Sequence, residues 1–479
     1  MTASRGDGGA RGRGRGDGGY GRGRGGGSRT GKGPVRDEPR NAAFDVLRAV
    51  DERDAYANLL MPRLLRERRL GGRDAALATE LAYGTLRGLG TYDAIIEYCT
   101  DRAPDPDVRD ALRLGAHQLL KMRVPPHAAV GTTVDLVRLR VGVGASKFAN
   151  AVLRKVAARS LDDWIPIVAP EDPVGHMSIA HSHPRWIVSA FRDALGGDDA
   201  ETADLLAADN VRPLVTLVAR PGRSSVPELQ DSGAEAGRYS PYAAYLPEGD
   251  PGQVPAVAEY RAAVQDEASQ LVALALARVP VEGRDEFWLD MCAGPGGKAG
   301  LLDAIAAYGD PDEGFPGGKH LLAADVQYHR ARLVWQTTRE ASVITADGTE
   351  PAWRSGAFDR IMLDAPCTGL GALRRRPEAR WRRDPAGVPG LGALQRGLLG
   401  TALDAVRPGG VVAYVTCSPH LAETGIVVSD VLRGREDVEQ LDARSYLTEV
   451  PDLGDGPHAQ FWPHRHGMDA MFLALLRKR

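Results

Sequence analysis

Hydrophobic residues in the first part of the chain recur at the spacing of amphipathic helices. Between residues 38 and 160, Phe44, Leu47 and Val50 stand three positions apart, and further leucines follow at helical spacing. Apolar residues three and four positions apart lie on one face of a helix. The pattern predicts five to seven helices joined by short loops, which is an all-α bundle over residues 38–160.

The pattern changes near residue 263 to short apolar runs that alternate with helical stretches. Each run is bounded by turn residues, which is typical of strands buried on both faces of a parallel sheet. We therefore predict an α/β fold, a Rossmann-like doubly wound sheet, over residues 263–479. The last segment, from residue 461, fits a hairpin that ends in an edge strand. The predicted strands are at 287–291, 320–326, 342–347, 358–366 and 411–418.

Three other segments have their own composition. Residues 161–180 carry Pro, Asp and His without periodicity and are predicted to be an irregular linker, and residues 181–262 are predicted to form a small α+β subdomain. Residues 1–37 are rich in Gly and Arg, and the first 36 hold nine Lys or Arg against two Asp. Such a tail cannot bury apolar surface and is expected to be disordered. It either keeps the protein in solution or contacts nucleic-acid phosphate.

Length and composition narrow the class of protein. A chain of 479 residues is too long for one hydrophobic core. No apolar run approaches the 18 or more residues of a membrane helix, and the N-terminus has no apolar signal segment. The four cysteines show no short-range pairing, which indicates free thiols in a reducing compartment. We expect a cytoplasmic protein without a membrane partner.

Aspartates follow four successive predicted strands. They are Asp290, Asp325, Asp347 and Asp364. Any one of them is explained as the N-cap of the next helix, but four at one sheet edge favour a nucleoside ligand. The turn at 292–298, CAGPGGK, lets backbone N–H groups approach that ligand. Because it matches neither the dinucleotide nor the P-loop spacing, S-adenosylmethionine is the predicted cofactor.

Two cysteines end neighbouring predicted strands. Cys367 and Cys417 could be core residues, a disulfide, zinc ligands or catalytic thiols, but no CxxC-like spacing supports zinc. Beside a methyl donor, a thiolate that attacks C6 of cytosine makes C5 able to accept a methyl group. The residues alone leave the roles of the two thiols interchangeable. Asp364 is the candidate for polarising the ring, and Cys99 and Cys292 are expected to be packing residues.

A basic loop follows Cys367. Residues 373–383, LRRRPEARWRR, place six arginines around one tryptophan. Such a loop is either a solvated surface or a contact for RNA phosphates and bases. The predicted RNA-binding residues are Arg374, Arg375, Arg376, Arg380 and Trp381.

Taken together, the motifs resemble the NOL/NOP/Sun family of RNA (cytosine-5) methyltransferases. Within it, the chain is most similar to the bacterial 16S rRNA enzymes with a NusB-like N-terminal domain. The matching stretches cover most of residues 40–479, and the pair at 364–381 and 414–423 is the most specific. The turn departs from the usual family pattern because Gly294 precedes the proline and Ala299 replaces a threonine.

The resemblance implies a role for each site residue. Cys417 would be the nucleophile and Cys367 would assist product release. It also implies RNA as the partner, in the form of 16S rRNA or a small-subunit precursor, and we expect a monomer. A tRNA methyltransferase and a non-catalytic NusB-like assembly factor are the alternatives. The donor would be held by Cys292, Ala293, Gly294, Pro295, Gly296, Gly297 and Lys298, with Asp325, Asp347 and Asp364.

Overall fold

The computed structural model describes residues 37–479, and this part of the chain begins with a block of helices. The predicted Arg/Gly-rich tail lies outside it, except for Asp37. That residue caps the first helix, because its side chain accepts a hydrogen bond from the backbone N–H of Arg40. Phe44 and Leu81 contribute to a core shared by these helices, which confirms the predicted all-α bundle. The helices are α1 (Glu38–Arg53), α2 (Ala57–Glu67), α3 (Gly72–Arg87), α4 (Leu89–Tyr98), α5 (Pro106–Leu120), α6 (Pro126–Arg140) and α7 (Val143–Val156).

Residues 161–180, predicted to be an irregular linker, contain two short helices. Ser160 starts the first of them with a capping box that includes Asp163, and Trp164 is buried in the helical core. The structure contradicts the prediction of an irregular segment, which rested on the lack of periodicity. No period is visible because each of the two helices has only eight residues. Proline is compatible with the first turn of a helix, and Pro173 stands there. The helices are α8 (Leu161–Val168) and α9 (Pro173–Ala180).

The next segment is a small mixed unit with an antiparallel sheet. Its four strands lie in the order β2-β3-β1-β4, and apolar residues such as Leu217 and Leu229 fill the space beneath the sheet. The elements are α10 (Arg185–Ala194), α11 (Asp199–Asp209), β1 (Val215–Ala219), α12 (Val226–Asp231), β2 (Glu235–Ala236), β3 (Ala243–Leu246), α13 (Pro255–Ala258) and β4 (Ala262–Val264).

The remaining residues form the predicted Rossmann-like sheet. Its strand order is β10-β12-β9-β8-β5-β6-β7, and the five strands from β9 to β7 run parallel. No helix between residues 37 and 479 is both long and apolar enough to cross a membrane. The elements are α14 (Glu267–Arg278), β5 (Phe287–Asp290), α15 (Gly297–Tyr308), β6 (His320–Asp325), α16 (Tyr328–Thr337), β7 (Ser342–Thr345), β8 (Phe358–Asp364), α17 (Ala379–Arg382), α18 (Val388–Ala405), β9 (Val406–Thr416), α19 (Gly425–Leu432), β10 (Val438–Leu441), β11 (Ala459–Gln460), α20 (Pro463–His466) and β12 (Phe472–Lys478).

The sequence pattern predicted that the last strand lies at the edge of the sheet, and this prediction is wrong. β12 lies between β9 and β10 and pairs antiparallel with both, so β10 forms the edge. Five consecutive apolar residues, from Phe472 to Leu476, are buried in β12. An uninterrupted apolar run of this kind is typical of an interior strand, because an interior strand is covered on both faces.

Candidate active site

The two cysteines of the predicted strand ends lie side by side. β8 and β9 are parallel neighbours, with Asp364 opposite Val415, so the chain leaves both strands at the same edge of the sheet. The Sγ atoms of Cys367 and Cys417 are 3.4 Å apart, and both side chains are half-buried. Within residues 37–479, no cluster of His, Cys, Asp or Glu has the arrangement of a metal site. The pair therefore has the geometry of two interacting thiols.

The environment makes the two thiols unequal. A hydrogen bond from Cys367 lowers the pKa of Cys417, and the positive charges of Lys298 and Arg376 act in the same direction. The same hydrogen bond, together with burial, raises the pKa of Cys367 well above its ordinary value. When the pair loses one proton, the remaining proton therefore lies on Cys367, and Cys417 is the thiol that ionises more readily. A thiolate is the reactive form of cysteine.

This asymmetry predicts how the alkylation of Cys417 by iodoacetamide depends on pH. The rate should rise through a midpoint below the ordinary pKa of a cysteine, because the thiolate fraction of Cys417 rises there. In Cys367→Ala the hydrogen bond that most lowers this pKa is absent, so the midpoint should move to higher pH. Peptide mapping by mass spectrometry follows Cys417 alone, with Cys99 as the internal buried control. An unchanged midpoint in the variant would contradict the assigned coupling.

A lysine and an aspartate lie next to the thiols. Lys298 Nζ donates a hydrogen bond to Asp364 Oδ2 over 2.8 Å, and the lysine side chain is only 10% exposed. Burial alone would lower the pKa of Lys298, but the ion pair with Asp364 outweighs burial and raises it. Lys298 therefore remains a cation at the junction of the glycine-rich turn and the cysteine pair.

The glycine-rich turn between β5 and α15 is built for close approach. Gly296 has φ +112°, a conformation that disfavours a side chain, and a Cβ there would lie 2.1 Å from Thr337 Oγ1. At Gly294, a Cβ would lie 2.4 Å from Asp325 Oδ2. Alanine at residue 294 would therefore require a shift of the Asp325 or Arg330 side chain.

Two aspartates at the ends of β6 and β7 are placed differently. Asp325 is buried and accepts hydrogen bonds from the backbone N–H groups of Gly294, at 3.0 Å, and Gln327, at 2.9 Å. Asp347 is exposed, and hydrogen bonds from Thr349 lower the pKa of its carboxyl group. Asp325 ends β6, which is adjacent to β5, and Asp347 follows β7, which is the next strand beyond β6. The turn and these carboxylates can therefore cradle one nucleoside.

Asp290 supplies an independent sign of a ligand at this turn. The side chain is fully buried, and neither carboxylate oxygen has a hydrogen-bond partner among residues 37–479. Burial, together with the nearby charge of Asp364, raises the pKa of Asp290 to about 8. A buried, unpaired carboxyl group is costly unless a polar partner reaches it. The donor site fits a group with hydrogen-bond donors, as the ribose and amino group of S-adenosylmethionine have.

A buried network that the sequence reasoning missed holds the two cysteine loops together. Glu423 accepts a hydrogen bond from the backbone N–H of Thr368, at 2.8 Å, and another from the Thr368 hydroxyl. The Thr368 hydroxyl also contacts the Ser418 hydroxyl at 3.0 Å. Gln395 donates to Pro366 O on the Cys367 loop at 2.8 Å and to Glu423. Thr368 and Ser418 directly follow the two cysteines. The only sequence signal was an acidic residue six positions after Cys417.

We expect Glu423→Ala to destabilise the protein and slow the reaction. Loss of the carboxylate leaves the buried Thr368 N–H without a partner, which costs about 1–3 kcal/mol of unfolding free energy. A shift of either loop by about 1 Å would lower kcat by about 100-fold. Glu423→Gln should rescue both, because its carbonyl can accept from the N–H while its amide donates to the hydroxyl. Urea unfolding and single-turnover kinetics measure the two effects.

The matched control for this network is the exposed Glu436. Glu436→Ala removes a carboxylate of the same size from the surface of the same part of the chain. It should change neither the unfolding free energy nor kcat. Equal losses for Glu423→Ala and Glu436→Ala would show that the network does not position the cysteines.

Of the predicted RNA-binding arginines, Arg374 and Arg380 are buried and Arg375 is half-buried. Arg374 and Arg375 form ion pairs with Asp266 and Asp469, and Arg374 Nε lies 2.8 Å from Asp469 Oδ1. Arg380 is fully buried. It donates to Asn210 Oδ1 at 2.7 Å and to the carbonyl oxygens of residues 87, 182 and 209. Internal acceptors occupy the guanidinium groups of these three arginines, which argues against the prediction that they bind RNA.

Arg376 and Trp381 remain available at the surface. Arg376 is exposed, and its guanidinium lies 5.8 Å from the centroid of the Tyr56 ring. Trp381 is 39% exposed, and its ring packs over Gly90 in the helical block. The RNA-binding prediction for the loop is therefore reduced to these two side chains.

Comparison with known proteins identifies the family. The family described as "16S rRNA methyltransferase RsmB/F" matches residues 277–477, and the NusB family matches residues 37–158. "Putative methyltransferase Rv1407" of Mycobacterium tuberculosis H37Rv is 51% identical over 93% of this chain and 98% of that protein. "Probable ribosomal RNA small subunit methyltransferase B" of Synechocystis sp. PCC 6803 is 32% identical over 92% of this chain and 99% of that protein.

A solved structure supports the fold. The crystal structure of PH0851 has a TM-score of 0.75 and 21% sequence identity, and the match covers 93% of this chain and 99% of that one. The chain belongs to the 16S rRNA methyltransferase RsmB/F family, with a NusB-family domain on its N-terminal side. The predicted resemblance and fold class are confirmed. So is the prediction, at the level of the family, that S-adenosylmethionine is the methyl donor.

Proposed function

We propose that this member of the RsmB/F family transfers a methyl group from S-adenosylmethionine to C5 of a cytosine in 16S rRNA, through a covalent bond between Cys417 and C6. The observation that best supports this proposal is the pair of thiols, whose Sγ atoms are 3.4 Å apart. Of the two, Cys417 has the lowered pKa. Its position at the end of β9, beside the glycine-rich turn after β5, suits a reaction between a base and a methyl donor.

The proposed reaction proceeds through an adduct. The Cys417 thiolate forms a bond to C6, and the electron pair of the C5–C6 double bond moves to C5, which becomes nucleophilic. Asp364 would face N3 of the ring, where a shared proton takes up the developing charge. The bound donor supplies an electrophilic methyl group to C5. A base then removes the C5 proton, the double bond re-forms and the Cys417–C6 bond breaks.

The donor site in this proposal is the turn and the neighbouring strand ends. Asp325 would accept hydrogen bonds from the ribose hydroxyls and Asp347 from the adenine amino group, as the resemblance implies. Lys298 would hold the Asp364 carboxyl group in position, because the two are in direct contact. The remaining contacts come from the backbone of Cys292, Ala293, Gly294, Pro295, Gly296 and Gly297.

Bisulfite sequencing tests the proposed function. Unmethylated 16S rRNA is incubated with the protein and S-adenosylmethionine, in parallel with bulk tRNA and with naked and partly assembled small subunits. A single new protected cytosine in 16S rRNA is the expected result. Protection in tRNA alone would favour the tRNA enzyme instead.

The non-catalytic alternative is separated by a binding measurement. An RNA-binding assembly factor would bind rRNA without binding S-adenosylmethionine, so isothermal titration with the donor should show no heat. The buried, unpaired Asp290 and the glycine contacts at residues 294 and 296 argue for donor binding. Absence of both donor binding and cytosine protection would reject the enzyme.

A further inference from the structure

A cavity lies away from the cysteine pair, where the helical block meets helices α8, α9 and α11. Its volume is about 730 Å³, within the roughly 300–1,000 Å³ of small-molecule sites. Its walls come from α3, α4, α5, α8, α9 and α11. The lining includes Arg87, Lys121 and three histidines, together with the acidic Glu80 and Asp162.

Arg87 is the unusual residue in this cavity. It is only 9% exposed, and its Nε atom has no hydrogen-bond partner among residues 37–479. Burial lowers the pKa of Arg87, and its guanidinium lies 5.9 Å from the centroid of the Tyr83 ring. The negative charge of Glu80 favours the charged form of Arg87, and the positive charge of Arg212 disfavours it. The Glu80 carboxylate is also shared, because its Oε1 lies 3.2 Å from His117 Nε2. Buried charges in proteins are normally paired.

The same guanidinium also borders another cavity. This cavity, of about 370 Å³, is lined by Arg87 and Glu80 as well as by Tyr83 and Arg212. Arg87 therefore stands between two openings, with a second arginine on one side and Lys121 at the rim of the other. A guanidinium in this setting offers its donor fork to an anion that enters from outside.

We propose that Arg87 binds a backbone phosphate of the RNA substrate in the cavity of about 730 Å³, which we call the Arg87 cavity. Lys121 at its rim and Arg212 in the adjoining cavity would contact the flanking phosphates. The proposal rests on the proposed function only in that it takes the ligand to be the substrate RNA. Phosphate suits the planar donor fork of arginine, and flexible cations at a rim suit a strand that continues in both directions.

The cavity is also tied to the catalytic loop. Arg380, on the loop that follows Cys367, donates to Arg87 O at 3.2 Å and to Asn210 Oδ1 at 2.7 Å. It also donates to the carbonyl of Ser182, and both Ser182 and Asn210 line the cavity. The buried arginine that proved unavailable for RNA thus holds one wall of the site that would bind it. An RNA strand bound here is held against the loop that carries Cys367.

Fluorescence anisotropy with a labelled 16S rRNA fragment, measured at several KCl concentrations, tests the proposal. Arg87→Gln should weaken RNA binding by at least about tenfold, since the charge-assisted hydrogen bonds to one phosphate are lost. The slope of log K against log salt should fall by about 0.7–0.9, the value for one lost phosphate contact. Arg87→Lys should keep most of the slope, because the charge remains. Arg66→Gln, an exposed arginine outside both cavities, is the matched control and should change little.

Further binding measurements test the phosphate proposal independently of methyl transfer. Isothermal titration with S-adenosylmethionine should be unchanged in Arg87→Gln, so a failure of the cytosine-5 proposal remains distinguishable from a failure of this one. Displacement of the RNA fragment from the wild type by millimolar AMP, but not by inorganic phosphate, would assign the cavity to a free nucleotide and overturn the proposal. If Arg87→Gln does not fold, Lys121→Gln and Arg212→Gln replace it. Unchanged affinity and slope in both rim variants, or an equal loss in Arg66→Gln, would also overturn it.

Discussion

Cys417→Ala is expected to abolish methyl transfer to RNA while the protein still binds S-adenosylmethionine. Without the thiolate, C5 of cytosine is not nucleophilic enough to take the methyl group, because no bond to C6 forms. Removal of a covalent nucleophile lowers kcat on the order of 10⁴-fold or more, so turnover should fall below detection. Transfer of a radiolabelled methyl group to 16S rRNA measures the activity, and isothermal titration measures the donor affinity.

The control for this prediction is a cysteine outside the site. Cys99 is buried in the helical block, and Cys99→Ala should keep full turnover at 25 °C despite a small loss of packing. If Cys417→Ala still methylated 16S rRNA, the adduct mechanism would be wrong. Transfer that survived in Cys417→Ala but was lost in Cys367→Ala would instead exchange the roles of the two thiols.

Strand ends were the part of the site that the sequence predicted well. Short apolar runs bounded by turns fix where β8 and β9 stop, and parallel neighbours in a sheet bring their carboxyl ends together. Cys367 and Cys417 could therefore be placed near each other without any coordinates. Periodicity also predicted the helical block, because its amphipathic pattern repeats over many turns.

Side chains with distant partners could not be predicted in the same way. Arg374 and Arg375 were predicted to be RNA contacts on a basic loop, because their partners Asp266 and Asp469 are about 100 residues away in the sequence. Composition cannot distinguish an arginine in water from one in a buried ion pair. The role of Glu423 was hidden for the same reason, since its partner Thr368 is on another loop.

Cys367→Ala should trap the enzyme on its RNA. Before attack, the hydrogen bond to Cys417 holds the proton on Cys367. Once the Cys417 sulfur is bonded to C6, it carries no charge, and the cause that raised the pKa of Cys367 most is gone. Cys367 can then lose its proton to solvent, and its thiolate takes the C5 proton of the methylated base. The C5–C6 double bond re-forms and Cys417 leaves C6 as a thiolate. Without Cys367 this last step should slow strongly, and a covalent protein–RNA complex should accumulate.

Denaturing electrophoresis of the protein with labelled 16S rRNA detects that complex. It should require S-adenosylmethionine, because only the methylated adduct needs a base to leave, and Cys367→Ala/Cys417→Ala should give none. Cys367→Ser should also trap it, since a serine hydroxyl keeps its proton at neutral pH. Full turnover by Cys367→Ala without an adduct would mean that another group removes the C5 proton. In that case the 3.4 Å contact would serve only to keep Cys417 ionised. The alkylation profile therefore tests whether Cys367 lowers the pKa of Cys417 before attack. The trapping experiment tests whether Cys367 removes the C5 proton after methyl transfer.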